Sequence, residues 1–433
     1  MKRTWKSLST AGVALAFLLG VGIARAEEAP PKLTEGSPDG LSSADATTDG
    51  IETYERQEEA AAGWKLPQPS FLAKHGFTVG GWVDQGIAFN NHPDDAFNGP
   101  VCTNNWNGEY QLNQAWLFLD RPAKNDGEGI AWGAHLDLVY GTDWIFGISH
   151  GLEDRIDSFN RSSYGLGIPQ AYAEVAINKL DIKLGHYAGI LGYEVVAAPP
   201  NPFYTHSYAM CFSEPILVTG ALAEYKLSEQ WALLGGIDRG WMTWEDENNI
   251  WDFMGGIRWM SENKKTAVAY SVNVGPEDAA GVQQRFVSSL VFKQELTERL
   301  QYVLQHDLGQ EQNALPNGDS AQWYGVNQYV LYKLNKQWSA NFRGEWFRDN
   351  NGTRVGGVPE DAGIRLWSLS GFAGNFYEMT FGLNWRPNAN VIFRPEIRYD
   401  WYDGQTNAGG LLPFNNGESS SQLLVAADLI FTF

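Results

Sequence analysis

Cysteine, positive charge and long apolar runs are all scarce in this chain of 433 residues. Its two cysteines are too few for the dense disulfide framework of a small secreted domain. Lysine and arginine total 31 against 51 acidic residues, which sets the formal net charge at −20. Binding to a phosphate backbone requires a basic surface, so we expect no nucleic acid partner.

One mostly apolar run, residues 8–23, follows a positively charged start and precedes Ala24-Arg25-Ala26. It is shorter than the roughly 20 residues that span a bilayer, and the small residues around Arg25 are typical of a signal peptidase site. We therefore predict a cleaved signal peptide over residues 1–26 and export of the chain. A membrane anchor helix is the alternative. No later run is long enough for a transmembrane helix.

Residues 27–75 are rich in Pro, Ser, Asp, Glu and Gly and poor in apolar side chains. Such a segment buries too little apolar surface to offset the entropy lost on ordering. We predict an acidic, flexible periplasmic leader. A short helix that docks on the domain, or plugs a pore from below, is the less favoured alternative.

The chain is nevertheless rich in aromatic residues and glycine, with 18 Trp, 18 Tyr, 22 Phe and 47 Gly. Its mean hydropathy is still negative, at −0.32. A transmembrane β-barrel combines these properties, because its lipid-facing apolar residues alternate with polar residues that face the lumen.

Residues 76–433 show this alternation in segments of roughly ten residues, the length of a tilted barrel strand. Short polar turns, two of them near copies at 226–231 and 333–338, alternate with long polar connections. We predict an all-β fold, a closed antiparallel transmembrane β-barrel of about 16 strands with short periplasmic turns and long extracellular loops. The last strand, 420–433, should close the barrel against 77–89.

The segment 111–121 is the least clear of the predicted strands. Trp116 and Phe118 compete with Leu117 and Leu119 for the lipid-facing side. A slip of one residue would exchange the two faces of this strand.

The polar face of each strand predicts which charged side chains enter the lumen. Acidic residues predominate in the early strands and arginines in the late ones, so opposing arcs of charge could set a field across a pore. The alternative is that these charges only keep the interior hydrated. The predicted pore-lining residues are Asp84, His135, Asp137, Glu174, Asp252, Arg258, Arg285, Arg343, Glu345, Arg394, Glu396, Arg398 and Asp400.

The connection 188–215 differs from the others because it is apolar and rich in proline, which stiffens the backbone and prevents strand pairing. We predict that it folds into the barrel mouth as a constriction loop; a loop on the outer rim is the alternative. Its candidate residues are Pro199, Pro200, Asn201, Pro202, Phe203, Tyr204 and His206. Cys102 and Cys211 could form a disulfide in an oxidising compartment, or remain as separate thiols.

Catalytic motifs are poorly represented. Gly147-Ile148-Ser149-His150-Gly151 matches G-x-S-x-G, but a nucleophile elbow requires a preceding parallel strand and a following helix. Neither is evident here, and no dinucleotide, Walker or zinc-protease motif occurs. We therefore expect no enzyme activity, no metal site and no cofactor.

Four strings resemble the OmpL-like β-barrel porin family of planctomycete-type outer-membrane porins. They are QLNQAWLFLDRP at 111–122, GYEVVAAPPNPFYTHSY at 192–208, SEPILVTGALAEY at 213–225 and RPEIRYDWYDG at 394–404. The resemblance covers roughly residues 77–433. It implies an outer-membrane barrel with a porin role and brings no catalytic residues.

Together these features predict a water-filled outer-membrane channel for passive diffusion of small hydrophilic solutes or ions. The alternative is a surface-displayed scaffold whose loops bind or adhere without transport. The expected partners are outer-membrane lipid, small hydrophilic solutes and further copies of the chain in a homo-oligomer.

Overall fold

Strands dominate the computed structural model, which describes residues 63–93, 96–104, 106–153, 155, 164–245, 248–356 and 371–433. The predicted signal peptide and the leader up to residue 62 lie outside the described residues. The strands are β1 Thr78–Asn90, β2 Tyr110–Arg121, β3 Ile130–Gly141, β4 Gly165–Gly167, β5 Ala171–Ile177, β6 Leu180–Ala188, β7 Leu217–Lys226, β8 Trp231–Asp238, β9 Asp252–Met260, β10 Thr266–Pro276, β11 Gln284–Glu295, β12 Leu300–Glu311, β13 Ala321–Lys333, β14 Trp338–Asp349, β15 Gly374–Asn388, β16 Val391–Gly404 and β17 Ser421–Thr432.

These strands form one closed antiparallel barrel. Each pairs with its neighbours in sequence, and β1 pairs with β17 from Trp82 opposite Thr432 to Asn90 opposite Leu424. β4 and β5 both pair with β3 and are two parts of one interrupted strand, so the barrel has sixteen. The predicted fold class and closing pair are confirmed.

Short turns join the strands at one end of the barrel and long loops at the other, as predicted. The outward faces carry apolar side chains, and aromatic pairs lie near both ends. At the short-turn end the ring centroids of Trp338 and Trp385 are 5.8 Å apart; at the long-loop end those of Tyr377 and Trp401 are 4.9 Å apart. Such aromatic girdles mark the two interfaces of a membrane barrel.

A β-bulge in β2 resolves the strand whose faces the sequence leaves open. Asp84 pairs with Gln114, but the next residue of β1 pairs with Leu112, so Asn113 is extra. Because of this extra residue, Leu112 faces outward with Leu117, and both Asn113 and Gln114 face inward. Bulges commonly redirect side chains in this way.

Residues 63–75, which the sequence assigns to the leader, contact the short-turn end of the barrel. The backbone N–H of Trp64 donates to Asn390 Oδ1 at 2.7 Å, and its ring stacks on Phe431 with centroids 6.3 Å apart. The short helix α1, Ser70–Lys74, follows. Within the described ranges no helix is both long and apolar enough to cross a membrane.

The long-loop half of the barrel is filled by its own loops. A cluster of buried apolar residues joins loop side chains such as Trp144 and Phe414 to inward side chains of the wall such as Trp323. The largest contribution is the segment 189–216 between β6 and β7, here called the inner loop. It contains the helix α2, Tyr208–Phe212, capped by the Ser207 side chain, which accepts from the Met210 N–H.

Candidate functional site

The inner loop is anchored inside the barrel by charged side chains that project inward from the wall. Arg394 of β16 pairs with Asp428 of β17 and donates to the carbonyl oxygens of Ala198 and Asn201 at 2.8 and 2.7 Å. Its side chain is buried, and each backbone acceptor lies in the proline-rich part of the loop. One arginine therefore fixes both the closing seam of the barrel and the loop.

Two inward glutamates hold the backbone N–H groups of the same loop. Glu396 accepts from the N–H of Tyr204 at 2.8 Å and from the Thr205 hydroxyl at 2.5 Å. Glu345 accepts from the N–H groups of Tyr208 and Ala209, both at 2.7 Å. These bonds satisfy loop amides that would otherwise be buried without partners.

Arg343 of β14 lies between the wall and the loop. It pairs with Glu378 of β15 at 2.5 Å, with Glu194 of the inner loop at 2.8 Å, and donates to the Thr205 carbonyl at 2.7 Å. Its side chain has 0% exposure. A buried ion pair is stable only when its remaining hydrogen-bonding groups are also satisfied, and Arg343 meets this condition through the loop.

Arg398 completes the arginine set. It pairs with Asp400 at 2.8 Å and donates to the His206 carbonyl at 2.6 Å, while Asp400 also accepts from the Tyr208 hydroxyl at 2.8 Å. Each of the three arginines thus has an acidic neighbour on its own side of the barrel and a backbone oxygen of the loop.

The bulged strand β2, which lies next to β17 with only β1 between them, also holds the loop. Gln114 donates to the Val196 carbonyl at 2.7 Å and accepts from the Ala198 N–H at 3.0 Å, and Asn113 accepts from the Tyr204 hydroxyl at 2.9 Å. Both amides are buried. The bulge therefore extends the anchoring wall from β17 across β1 to β2.

Two glutamates within the inner loop have strongly shifted pKa values of opposite sign. Burial acts to raise the pKa of Glu194, but Arg343, His206 and the Ser207 N–H outweigh it and hold that pKa well below its usual range. Burial raises the pKa of Glu214 well above its ordinary value, and the nearby acid Asp307 adds to the shift. Glu194 is therefore held as a carboxylate, whereas burial favours the protonated form of Glu214.

Cys102 and Cys211 form a disulfide in the structure, with Cα atoms 6.3 Å apart. This separation lies within the usual range of roughly 4.4 to 6.8 Å. The bond joins the loop after β1 to helix α2 of the inner loop. Its formation in the exported protein stays a prediction.

All thirteen predicted pore-lining residues lie on the inward side of their strands, but ten of them are buried. His135, Arg258 and Arg285 are half-buried. The sequence predicts an acidic arc that faces an arginine arc across the lumen. In the structure Arg343, Arg394 and Arg398 are instead paired with acidic residues of the wall beside them. The pore-lining role of the thirteen stays a prediction.

The predicted constriction residues lie inside the barrel, within the inner loop. Asn201, Phe203, Tyr204 and His206 are buried. Pro199 accepts from Arg386 at 3.1 Å and Pro202 from Asn341 at 3.3 Å, both through their carbonyl oxygens. Their effect on permeation stays a prediction.

Several anchoring residues were missed by sequence reasoning. Asn113 and Gln114 depend on a bulge, which alternation alone does not reveal. Glu378 could have been found from its inward position in β15. Glu194 also had a signal, since it is a carboxylate within an apolar stretch of loop.

The G-x-S-x-G motif brings Ser149 within 3.3 Å of His186 Nε2, between their side-chain atoms. The second nitrogen of His186 contacts the Thr219 hydroxyl at 2.8 Å rather than a carboxylate. Both Ser149 and His186 have 0% exposure, so a substrate could not reach them in this arrangement. The pair lacks the orienting acid of a catalytic triad.

Among the described residues, no group of His, Cys, Asp and Glu could hold a metal ion.

A closed sixteen-strand barrel with an anchored inner loop is typical of porins. The family model "Putative beta-barrel porin-2, OmpL-like" matches residues 76–433. This chain belongs to that family. It is thus an outer-membrane β-barrel porin, and its family indicates a channel rather than an enzyme. A search of curated proteins found no match.

Solved porins share the fold at low sequence identity. The outer membrane channel DcaP of Acinetobacter baumannii has 12% identity and a TM-score of 0.55, covering 86% of this chain and 100% of its own. An anion-selective porin from Comamonas acidovorans has 9% identity and a TM-score of 0.56, covering 82% and 99%. The trimer form of OmpT from Vibrio cholerae has 9% identity and a TM-score of 0.52, covering 82% and 99%. At this identity the likeness shows the fold alone.

Proposed function

We propose that this porin conducts small hydrophilic solutes or ions by passive diffusion, with the inner loop narrowing the lumen. The observation that carries the proposal is the loop itself, held inside a closed sixteen-strand barrel by buried ion pairs from β14 to β17. Sixteen strands enclose enough space for an aqueous channel once the loop is accommodated.

Swelling of proteoliposomes in sugars of increasing size tests this function. We expect rapid swelling with the smallest sugars and a sharp loss of rate with larger ones, because the loop reduces the width of the lumen. Liposomes with heat-unfolded protein are the control. Swelling at the control rate for every solute would contradict the channel.

A second function is favoured by the packing of the extracellular half, where loop residues such as Trp144 and Phe414 join a buried apolar cluster. A rigid loop cap of this kind suits a surface-displayed scaffold that binds or adheres without transport. Absence of solute flux together with a correctly folded, heat-modifiable barrel would favour the scaffold.

We further propose that the chain assembles as a homo-oligomer in outer-membrane lipid. The trimer form of OmpT from Vibrio cholerae, which shares the fold, supports this. Chemical cross-linking in native membranes should give bands at multiples of the monomer mass.

The N-terminal assignments are also proposals. Cleavage after residue 26 should give a mature chain that begins at Glu27, which N-terminal sequencing of the purified protein would show. The leader 27–75 would then be periplasmic, and its last part contacts the barrel through Trp64.

A further inference from the structure

The inner wall of the barrel is buried on one side and reached by solvent on the other. Along β13 to β17 the inward positions of the mid-strand are buried. In the short-turn half of β7 to β9, Glu224, Leu234, Gly236 and Arg258 face inward and are half-buried, whereas the inward neighbours of Gly236, Leu222 and Met254, are buried. Solvent therefore enters the short-turn half of the barrel along β7 to β9.

The two similar short turns, 226–231 and 333–338, allow inward residues at the same depth in the barrel to be compared. Trp231 opens β8 and Trp338 opens β14, each after a closely similar turn. Three residues on, Leu234 is half-buried and Asn341 is 1% exposed. Five residues on, β8 carries Gly236, which has no side chain, and β14 carries the fully buried Arg343. Positions related by the sequence repeat thus differ in access to water.

The anchoring of the inner loop explains this difference. Its hydrogen bonds run to β2, to Ser289 of β11, to Gln305 of β12 and to β14 and β16. These bonds draw the loop onto that arc of the wall. The lumen that stays open to solvent lies beside β7 to β9.

The accessible wall carries a charge pair of its own. Glu224 and Arg258 form an ion pair, and their side chains are 17% and 14% exposed. A hydrated ion entering from the periplasm would meet this pair rather than the arginines under the loop. Toward the long-loop end, the guanidinium groups of Arg285 and Arg354 lie 4.6 and 4.9 Å from the ring centroid of Trp241.

We propose that solutes enter the barrel at its short-turn end along β7 to β9, and that Glu224 and Arg258 set the charge selectivity of the channel. The proposal rests on the porin function proposed above. Arg343, Arg394 and Arg398 are then anchors for the inner loop and do not contact the solute.

Thiol labelling tests the route. In the structure the two native cysteines are buried and joined to each other, so a cysteine introduced at Leu234 or at Asn341 would be the reactive one. We expect a charged methanethiosulfonate reagent to modify Leu234→Cys rapidly and to lower its conductance. Asn341→Cys should react more slowly, by roughly ten-fold or more, because a buried group must wait for local opening.

Labelling is followed by mass spectrometry, so it does not depend on conduction. Equal labelling rates, or faster labelling of Asn341→Cys, would overturn the route. Absence of channels in the unmodified protein, with the labelling difference intact, would instead count against the proposed function.

Ion selectivity tests the two charges. Glu224→Gln removes a negative charge beside Arg258 and should shift the permeability ratio toward anions, whereas Arg258→Gln removes a positive charge and should shift it toward cations. A unit charge about 4 Å from an ion in water is worth about 1 kcal/mol, or a roughly five-fold shift. Lys336→Gln, in the turn before β14, is the control for a charge outside the lumen. A ratio unchanged in both lumen variants would overturn the assignment.

Discussion

Replacing Arg394 by methionine should release the inner loop while leaving the barrel closed. Methionine keeps much of the side-chain volume but removes the partner of Asp428 and the donor to the Ala198 and Asn201 carbonyls. Breaking a buried ion pair by removing one partner costs about 3 to 5 kcal/mol, since the other charge stays buried.

The free-energy cost of breaking the ion pair sets how far the inner loop shifts from its docked to its released state. A loss of about 4 kcal/mol raises the ratio of released to docked loop roughly 1000-fold, at 1.4 kcal/mol for each factor of ten. The backbone pairing of β16 with β17 does not use the guanidinium, so the sheet should persist. We therefore expect larger or noisier single-channel currents and faster proteolysis within residues 189–216, with a heat-modifiable barrel still present.

Arg299→Met is the control, because Arg299 is exposed in the turn between β11 and β12. The control should leave current and proteolysis unchanged. If Arg394→Met also leaves both unchanged while folding normally, Arg394 does not anchor the loop and the account of the buried arginines is wrong.

Three further predictions concern the loops inside the barrel. Cys102→Ser with Cys211→Ser removes a cross-link between residues 109 apart in sequence, which contributes up to about 4 to 5 kcal/mol to stability by chain entropy. The double variant should speed proteolysis of the inner loop, and an unchanged rate would show that the disulfide does not hold the loop. Glu214 has a raised pKa in the folded state, so its contribution to stability is present below its unfolded value of about 4.3 and is lost as the pH rises toward the folded pKa. The Glu214→Gln side chain is neutral at every pH, so the denaturation midpoint of this variant should rise relative to that of the parent protein between pH 4 and pH 8. A difference between the two midpoints that does not change with pH would contradict the raised pKa of Glu214. Ser149→Ala removes one hydrogen bond of 3.3 Å, so it should leave conductance unaltered and cost about 1 kcal/mol or less of stability. Loss of a hydrolytic activity in this variant would instead support a catalytic role for Ser149.

The barrel was predictable because its signal is local. Alternation with a period of two, repeated at short turns such as 226–231, identifies the strands, and the apolar face identifies lipid. The closing pair of β1 with β17 follows because a barrel in a bilayer cannot leave an unpaired edge. These inferences use neighbouring residues and one global constraint.

The surroundings of the inward side chains were not predictable in the same way. The pattern places Arg394 and Arg398 inside the barrel, but whether they face water depends on where residues 189–216 fold. That fold is set by contacts distant in sequence, such as Arg343 with Glu194. The bulge at Asn113 is equally invisible to alternation, because one extra residue changes the face of the rest of β2.

Single-channel recording of the purified protein in planar lipid bilayers tests the central claim most directly. We predict discrete conductance steps in simple salt, because the barrel leaves a lumen beside β7 to β9 that solvent reaches. A heat-modifiable, correctly folded barrel that gives no steps at any voltage would contradict the porin account.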